Sequence, residues 1–335
     1  IGTMGQEREQ YIVEMRHITK RFPGIVANDD VTIQVRQGEI YALLGENGAG
    51  KSTLMSMLYG MYEPDHGEIF IRGQKVDFRS ASDAADANIG MVHQHFSLVN
   101  AKTVLDNVLL GYENTPLFLP RKKMREKVLE LSAQYGLQVN PDAMVGDLSI
   151  GEKQRVEIIK ALFRDIRLLI LDEPTAVLTP GETRQLFHVL SQLKRQGFAV
   201  ILITHRMSEI MGNADRVTVL RGGRCVGTMP IAETSAEQLS HLMMGHALRR
   251  TVNDGSTIPG APLLSLDHVS VYRSGRKRPA LEDVTLCVRE GEILGVAGVE
   301  GNGQKELAEA IVGIRRRRVK GTIRLGSSNL TGTSV

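Results

Sequence analysis

Nine consecutive residues, Gly45-Glu46-Asn47-Gly48-Ala49-Gly50-Lys51-Ser52-Thr53, carry the spacing G-x-x-x-x-G-K-[ST]. Its glycines let the chain turn where a Cβ would clash, so successive backbone N–H groups can converge on phosphate oxygens. Gly45, Asn47, Gly48, Ala49 and Gly50 would form that cradle. Lys51 would reach the outer phosphates, Ser52 would offer its hydroxyl to a divalent cation, and Thr53 completes the set. Further along, Leu168-Leu169-Ile170-Leu171 is a continuous apolar run ending in Asp172-Glu173-Pro174. Such a run predicts a strand buried on both faces of a parallel sheet. The C-terminal ends of such strands are where open α/β sheets bind ligands. There Asp172 would hold Mg²⁺, and Glu173 would orient and polarise an attacking water. A third run, residues 199–203, ends in Thr204-His205. His205 would then face the same crevice and could donate a hydrogen bond to a terminal phosphate. A packed, satisfied histidine is the plain alternative.

These groups need elements to hold them. Gln37-Gly38-Glu39 reads as a turn, residues 40–44 as a strand, and residues 54–59 as a helix whose N-terminus faces the anion. Val31, Ile33 and Val35 alternate with Thr32, Gln34 and Arg36, which predicts a half-buried antiparallel strand. Ile69 and Ile71 belong to another, so a small antiparallel layer should lie beside the parallel core. Met124, Val128, Leu131 and Tyr135 recur at helical spacing, and Gly136 stops that helix. Ser149 and Glu152 have the spacing of a capping box at a helix start. Thr179, Pro180 and Glu182 read as N-cap, N1 and N3 of another.

Leu148-Ser149-Ile150-Gly151-Glu152 is also close to LSGGQ, with Ile150 for the first glycine of the pair and Glu152 for the glutamine. With the phosphate loop and the Asp-Glu pair, it makes the chain resemble the ATP-binding cassette (ABC) family. The resemblance implies an α/β fold of the P-loop NTPase kind: a parallel sheet core with an antiparallel β subdomain and a helical subdomain. It implies ATP and Mg²⁺ as cofactors. Phe22 would stack on adenine, an ordinary core aromatic being the alternative. Gln94, in Val92-His93-Gln94, would reach the metal and couple to a membrane partner. Ser149, Gly151 and Glu152 would face the γ-phosphate held by the opposing cassette of a dimer. Thr179 stands where the family usually has aspartate, which puts that cross-dimer contact in doubt.

The chain also repeats itself. Asp30-Val31-Thr32 recurs as Asp283-Val284-Thr285, and Gly45, Gly48 and Gly50 recur as Gly298, Gly301 and Gly303, at an offset of 253 residues. A fixed offset of this length indicates two homologous domains. In the second copy Gln304 stands for Lys51 and Lys305 for Ser52. A one-residue shift turns a helical side chain by about 100°, so Lys305 should point away from the phosphates. Weak or non-hydrolytic nucleotide binding is expected there. The reading divides the chain into a first cassette at 11–246, a linker at 247–262, and the N-terminal part of a second, degenerate cassette at 263–335. The second cassette looks truncated, and its residues are expected to be marginally stable and protease-sensitive. Two first cassettes could still pair between chains, each lending residues 148–152 to the other's Lys51.

The net charge of +3 is too small to imply nucleic acid, and a hydrophobic content of 42% suits a packed core. Arg315-Arg316-Arg317-Arg318 with Lys320 reads as a solvated loop. Two distant cysteines, Cys225 and Cys287, suggest reduced thiols in a cytosolic protein. No apolar run approaches the length of a membrane span.

Tandem cassettes with a damaged second phosphate loop are similar to importers of simple sugars and nucleosides. The wording of residues 171–180 and 298–304 is most similar to the nucleoside branch. The resemblance therefore implies permease subunits, a substrate-binding lipoprotein beyond them, and a peripheral place on the cytoplasmic face of a bacterial cell membrane. A competing class, soluble tandem cassettes acting on ribosomes, carries a long charged helical linker. Here the linker is short and shows no heptad pattern. A regulator that only binds nucleotide would have no need of Glu173.

Overall fold

A computed structural model describes residues 11–94, 96–111, 120–245, 258–272, 278–298, 302–315 and 318–331. The chain divides into two compact units, Ile1–Leu248 and Arg249–Val335.

The first unit is built on two sheets. Strands β1 (Tyr11–Phe22), β2 (Ile25–Arg36), β4 (His66–Ile71) and β5 (Gln74–Val76) form an antiparallel sheet in the order β2-β1-β4-β5. Strands β3 (Ile40–Leu44), β6 (Ile89–Val92), β7 (Leu168–Asp172), β8 (Ala199–Thr204), β9 (Arg216–Arg221) and β10 (Arg224–Pro230) form the second, in the order β10-β9-β3-β8-β7-β6. It is parallel except for the β9–β10 pair. Every residue of β3, β7 and β8 is buried, as their unbroken apolar runs require.

Burial on both faces creates two cores. Ile40, Ala42, Leu44, Leu169, Leu171, Val200 and Leu202 face one side, with α5 (Ile150–Leu162) and α6 (Pro180–Arg195). Tyr41, Leu43, Ile170, Ile201 and Ile203 face the other, against α1 (Lys51–Leu58) and the antiparallel sheet. Successive strand residues alternate between the two. The register sets Leu44 opposite Thr204, and Asp172 opposite Ile203. The ends of β3, β7 and β8 therefore lie on one edge of the sheet. A helical layer includes α3 (Val104–Leu109) and α4 (Arg121–Gln134), both packed with α5, while α2 (Ala81–Asp86) lies against β6 and α8 (Ala236–Met244) against β9. As the spacing predicts, α4 stops before Gly136, which takes φ +65°.

The second unit has an antiparallel sheet, β12-β11-β13-β14, of β11 (Pro262–Tyr272), β12 (Pro279–Arg289), β13 (Val319–Leu325) and β14 (Ser328–Asn329). One helix, α9 (Gln304–Ile311), packs on it through a small core that includes Leu266, Val269, Leu307 and Ile323. Residues 292–298, the counterpart of β3 and its loop, form no strand. The repeat predicts a strand there, but among the described residues no strand pairs with it, so the segment stays irregular.

Most of the expected linker, Arg316 and Arg317 lie outside the described residues. Arg315 is not simply solvated as expected: it pairs with Glu309 and Glu306. Cys225 and Cys287 are free thiols. Among the described residues no helix is long and apolar enough to cross a membrane.

Candidate functional site

The glycine-rich loop leaves the end of β3 and turns into α1. Gly50 caps that helix at φ 94°, in the left-handed region, with no side chain to satisfy the first N–H groups. Those donors remain available to an anion. A Cβ on Gly50 would lie 2.2 Å from the Ala27 carbonyl oxygen, so the β1–β2 hairpin presses directly on the loop. Asn28, fully buried in β2, donates from Nδ2 to the Gly50 carbonyl at 3.2 Å. Asn28 was not legible as a site residue, although a polar residue followed by an alternating apolar strand was a signal that could have marked it. Asn47 and Gly48 are exposed at the crest of the loop, while Ala49 is buried beneath.

Lys51 is 5% exposed. Its Nζ donates to the carbonyls of Gly45 and Glu46, at 2.7 and 2.8 Å. Burial lowers its pKa, and the carboxylates of Glu173, Asp172 and Glu46 oppose that shift. Lys51 is thus in the field of both carboxylates at the end of β7. Asp172, the last residue of β7, is itself buried. That burial raises its pKa, while a hydrogen bond from the Ser52 side chain lowers it. Thr53 is half-buried one residue further along α1.

Glu173 takes φ +46°. That left-handed conformation costs a non-glycine residue about 1–2 kcal/mol. Its N–H donates to the Ile203 carbonyl at 3.0 Å, fixing the turn against β8. Its carboxylate then meets two side chains. Oε1 lies 3.0 Å from Nδ1 of His205, and Oε2 accepts from Nε2 of Gln94 at 3.4 Å. Backbone strain of this kind clusters at functional sites, where the surroundings over-determine it. Lys51, Ser52, Gln94, Asp172, Glu173 and His205 thus converge on one edge of the parallel sheet.

Residues 28–176 match the family model described as ABC transporter. The chain is 46% identical over 322 residues to the guanosine import ATP-binding protein NupO of Bacillus subtilis, covering 96% of this chain and 63% of that protein. Residues 28–176 carry an ABC transporter domain. It is 45% identical to the glucose import ATP-binding protein TsgD13 of Haloferax volcanii, over 92% of this chain and 61% of that one. Among solved structures, cbiO1 of Clostridium perfringens, part of the ABC transporter complex cbiONQ, matches at a TM-score of 0.61 and 29% identity. That match covers 69% of this chain and 93% of cbiO1. The chain therefore spans less than two thirds of the length of these two curated relatives.

The remaining predicted residues of the cassette lie on two other surfaces. Phe22 ends β1 in the hairpin that abuts Gly50. Its ring meets Tyr62 edge-on, with centroids 5.4 Å apart, and Lys20 Nζ sits 5.7 Å from its centroid. Ser149, Gly151 and Glu152 open α5. Glu152 accepts from the Ser149 N–H at 2.8 Å, and its own N–H donates to Ser149 Oγ at 3.3 Å, the reciprocal capping box. That backbone bond holds the Glu152 pKa below its usual value. A Cβ on Gly151 would lie 2.1 Å from Oε1 of Glu182, so this glycine lets the starts of α5 and α6 approach. Glu182 in turn closes the same kind of box with Thr179. The helix start predicted for Thr179 therefore forms without the aspartate the family usually carries.

Proposed function

We propose that this chain is the ATP-hydrolysing subunit that powers an ABC importer for nucleosides. The observation that carries this reading is Glu173, held between Gln94 and His205 beside a buried P-loop lysine. Loop N–H groups and Lys51 would bind the β- and γ-phosphates, and Phe22 would take the adenine face. The donors grouped for Mg²⁺ are oxygen atoms: the Ser52 hydroxyl, the Asp172 carboxylate and the Gln94 amide oxygen. That hard-ligand set suits Mg²⁺, which binds carboxylates together with substrate phosphates. The ion would neutralise charge on the phosphate oxygens. Glu173 would accept a hydrogen bond from the attacking water and orient it toward the γ-phosphorus. As the new P–O bond forms, the bridging P–O bond to ADP breaks, and the water's proton passes by way of Glu173 to the phosphate oxygens. His205 would donate to a γ-phosphate oxygen, and Lys51 would stabilise the charge there.

Closure against Ser149, Gly151 and Glu152 of an opposing cassette would exclude water from this group. Gln94 touches Glu173, so its movement would carry closure through the helical layer to a permease. The partners proposed are permease subunits, a substrate-binding lipoprotein beyond them and a second cassette. The proposed place is the cytoplasmic face of the membrane. Simple sugars are the second reading, favoured by the glucose-import relative. The test is steady-state ATPase activity against protein concentration, with E173Q as control. Activity that rises with concentration and falls at least about 100-fold in E173Q supports the assignment. Wild-type turnover in E173Q refutes the role of Glu173, and ATP-dependent co-sedimentation with ribosomes refutes the importer. Uptake of labelled guanosine against glucose, in cells lacking the subunit, separates the two solute classes.

A further inference from the structure

Glu209 is a buried carboxylate with no part in the scheme above. It belongs to α7 (Met207–Ile210), three residues after the N-cap Arg206, the position from which a glutamate usually caps its own helix. Here α7 has no side-chain cap, and Glu209 turns inward instead. It is 6% exposed. Oε1 accepts from the Thr175 hydroxyl, and Oε2 accepts from the Thr204 hydroxyl at 2.9 Å. Both threonines are themselves 2% exposed. Arg206 supplies the countercharge, with Nη1 3.5 Å from Oε1. The same guanidinium donates to the Thr175 carbonyl at 3.3 Å and to the Ala176 carbonyl at 3.5 Å.

The two threonines are not arbitrary anchors. Thr175 stands two residues after Glu173, in the turn that leads to Thr179 and α6. Thr204 immediately precedes His205. One carboxylate therefore bonds both the turn after β7 and the end of β8, the two places that deliver the Glu173–His205 pair. A buried charge costs several kcal/mol unless it is fully partnered. An apolar side chain would fill the same space without that cost, so packing alone does not account for a glutamate here.

We infer that Glu209 is a positioning residue, which sets the Glu173–His205 geometry by clamping the turn after β7 to the end of β8. The inference rests on the ATPase reading of the site. The Glu209 side chain bonds Thr175, Thr204 and Arg206, none of them assigned to nucleotide or metal, so its loss should reach the chemical step and leave nucleotide binding alone. The measurement is kcat and KM for MgATP, with the subunit in its assembled complex, for wild type, K51A, E209Q, T175V and T175S. E209Q keeps the size of the side chain but forces one hydroxyl to reverse its bond. T175V removes one donor from the clamp, and T175S restores it.

The expected result is a kcat at least tenfold lower in E209Q and T175V, KM within twofold of wild type, and recovery in T175S. Combining E209Q with T175V should cost no more than either alone. The inference is overturned if E209Q and T175V turn over like wild type. It is also overturned if kcat and KM move together with a loss of folded protein and T175S does no better than T175V. A wild-type complex whose turnover K51A leaves unchanged sinks the ATPase reading itself, and the clamp falls with it.

Discussion

Two segments of this chain occupy equivalent places in its repeat and do not share a structure. Glu39-Ile40-Tyr41-Ala42-Leu43-Leu44-Gly45 forms β3 and the start of the phosphate loop, with Ile40 at 1% exposure. Glu292-Ile293-Leu294-Gly295-Val296-Ala297-Gly298, its counterpart in the second unit, forms no strand, and Ile293 is 95% exposed. Both runs are apolar, both follow a Gly-Glu turn, and both precede a helix capped by a left-handed glycine, Gly50 or Gly303. The difference lies in their neighbours. β3 is bonded on one side to β8 and on the other to β9. Among the described residues no strand pairs with the second run. A parallel strand is made by its partners, because its backbone groups and both of its faces are satisfied only from outside. Local propensity differs less than this, with Gly295 and Ala297 standing where the first run has Ala42 and Leu44.

Hydrogen exchange gives the sharpest way to break this contrast. Amides of residues 41–44 should exchange about four orders of magnitude more slowly than those of residues 293–297, since the former open only with the core. Equal protection would mean that the second segment has found a partner.

The two phosphate loops offer the next contrast. Gln304 stands where Lys51 does and leans over Gly298, as Lys51 leans over Gly45. Lys305 points to solvent, as its one-residue shift predicts. Glu306, at the position of Thr53, is buried in the first turn of α9, where a carboxylate repels phosphate. K51A should weaken ATP binding by at least about tenfold, the value of a charge-assisted bond. Q304A should leave it within twofold, and a larger loss by fluorescent-nucleotide titration would give the second loop a nucleotide of its own.

A smaller effect concerns acid. Holding a metal requires an ionised carboxylate, and burial raises the pKa of Asp172. Protons therefore compete with Mg²⁺ at a pH above the 3.8 of an ordinary aspartate. MgATP affinity should fall on acidification and recover as pH rises through the raised value. D172N should bind more weakly and show a flatter profile over the same titration. Smallest of all, S149A removes the cap of α5 and should cost about 1 kcal/mol. By calorimetry that lowers the melting temperature of the first unit by a few degrees. The second unit, which contains no part of that helix, should melt unchanged.

Much of the site was legible because its motifs are local. The spacing of residues 45–53 fixes a loop whatever surrounds it, and Ser149 with Glu152 specifies a helix start within four residues. Glu173 and His205 could be read too, because each follows an apolar run long enough to mark a buried strand. What escaped was tertiary. Asn28 bonds Gly50 across 22 residues, and Glu209 reaches Thr175 across 34. No spacing rule links such residues. The left-handed turn at Glu173 was equally hidden, since glutamate carries no propensity for it. The missing strand at 293–297 shows the converse: a clear local pattern failed for want of a distant partner.

The alternation of β3 between two cores sets what kinds of genetic change this cassette can survive. Swapping one apolar side chain for another at Tyr41 or Ala42 alters one core by a few atoms. Inserting or deleting a single codon within residues 40–44 would exchange the two cores' side chains along the rest of the strand and advance or retard Gly45 by about 3.3 Å at the edge where the phosphates bind. The strand is therefore a ruler as well as a wall. Its descendants are free to drift in spelling and are barred from drifting in length.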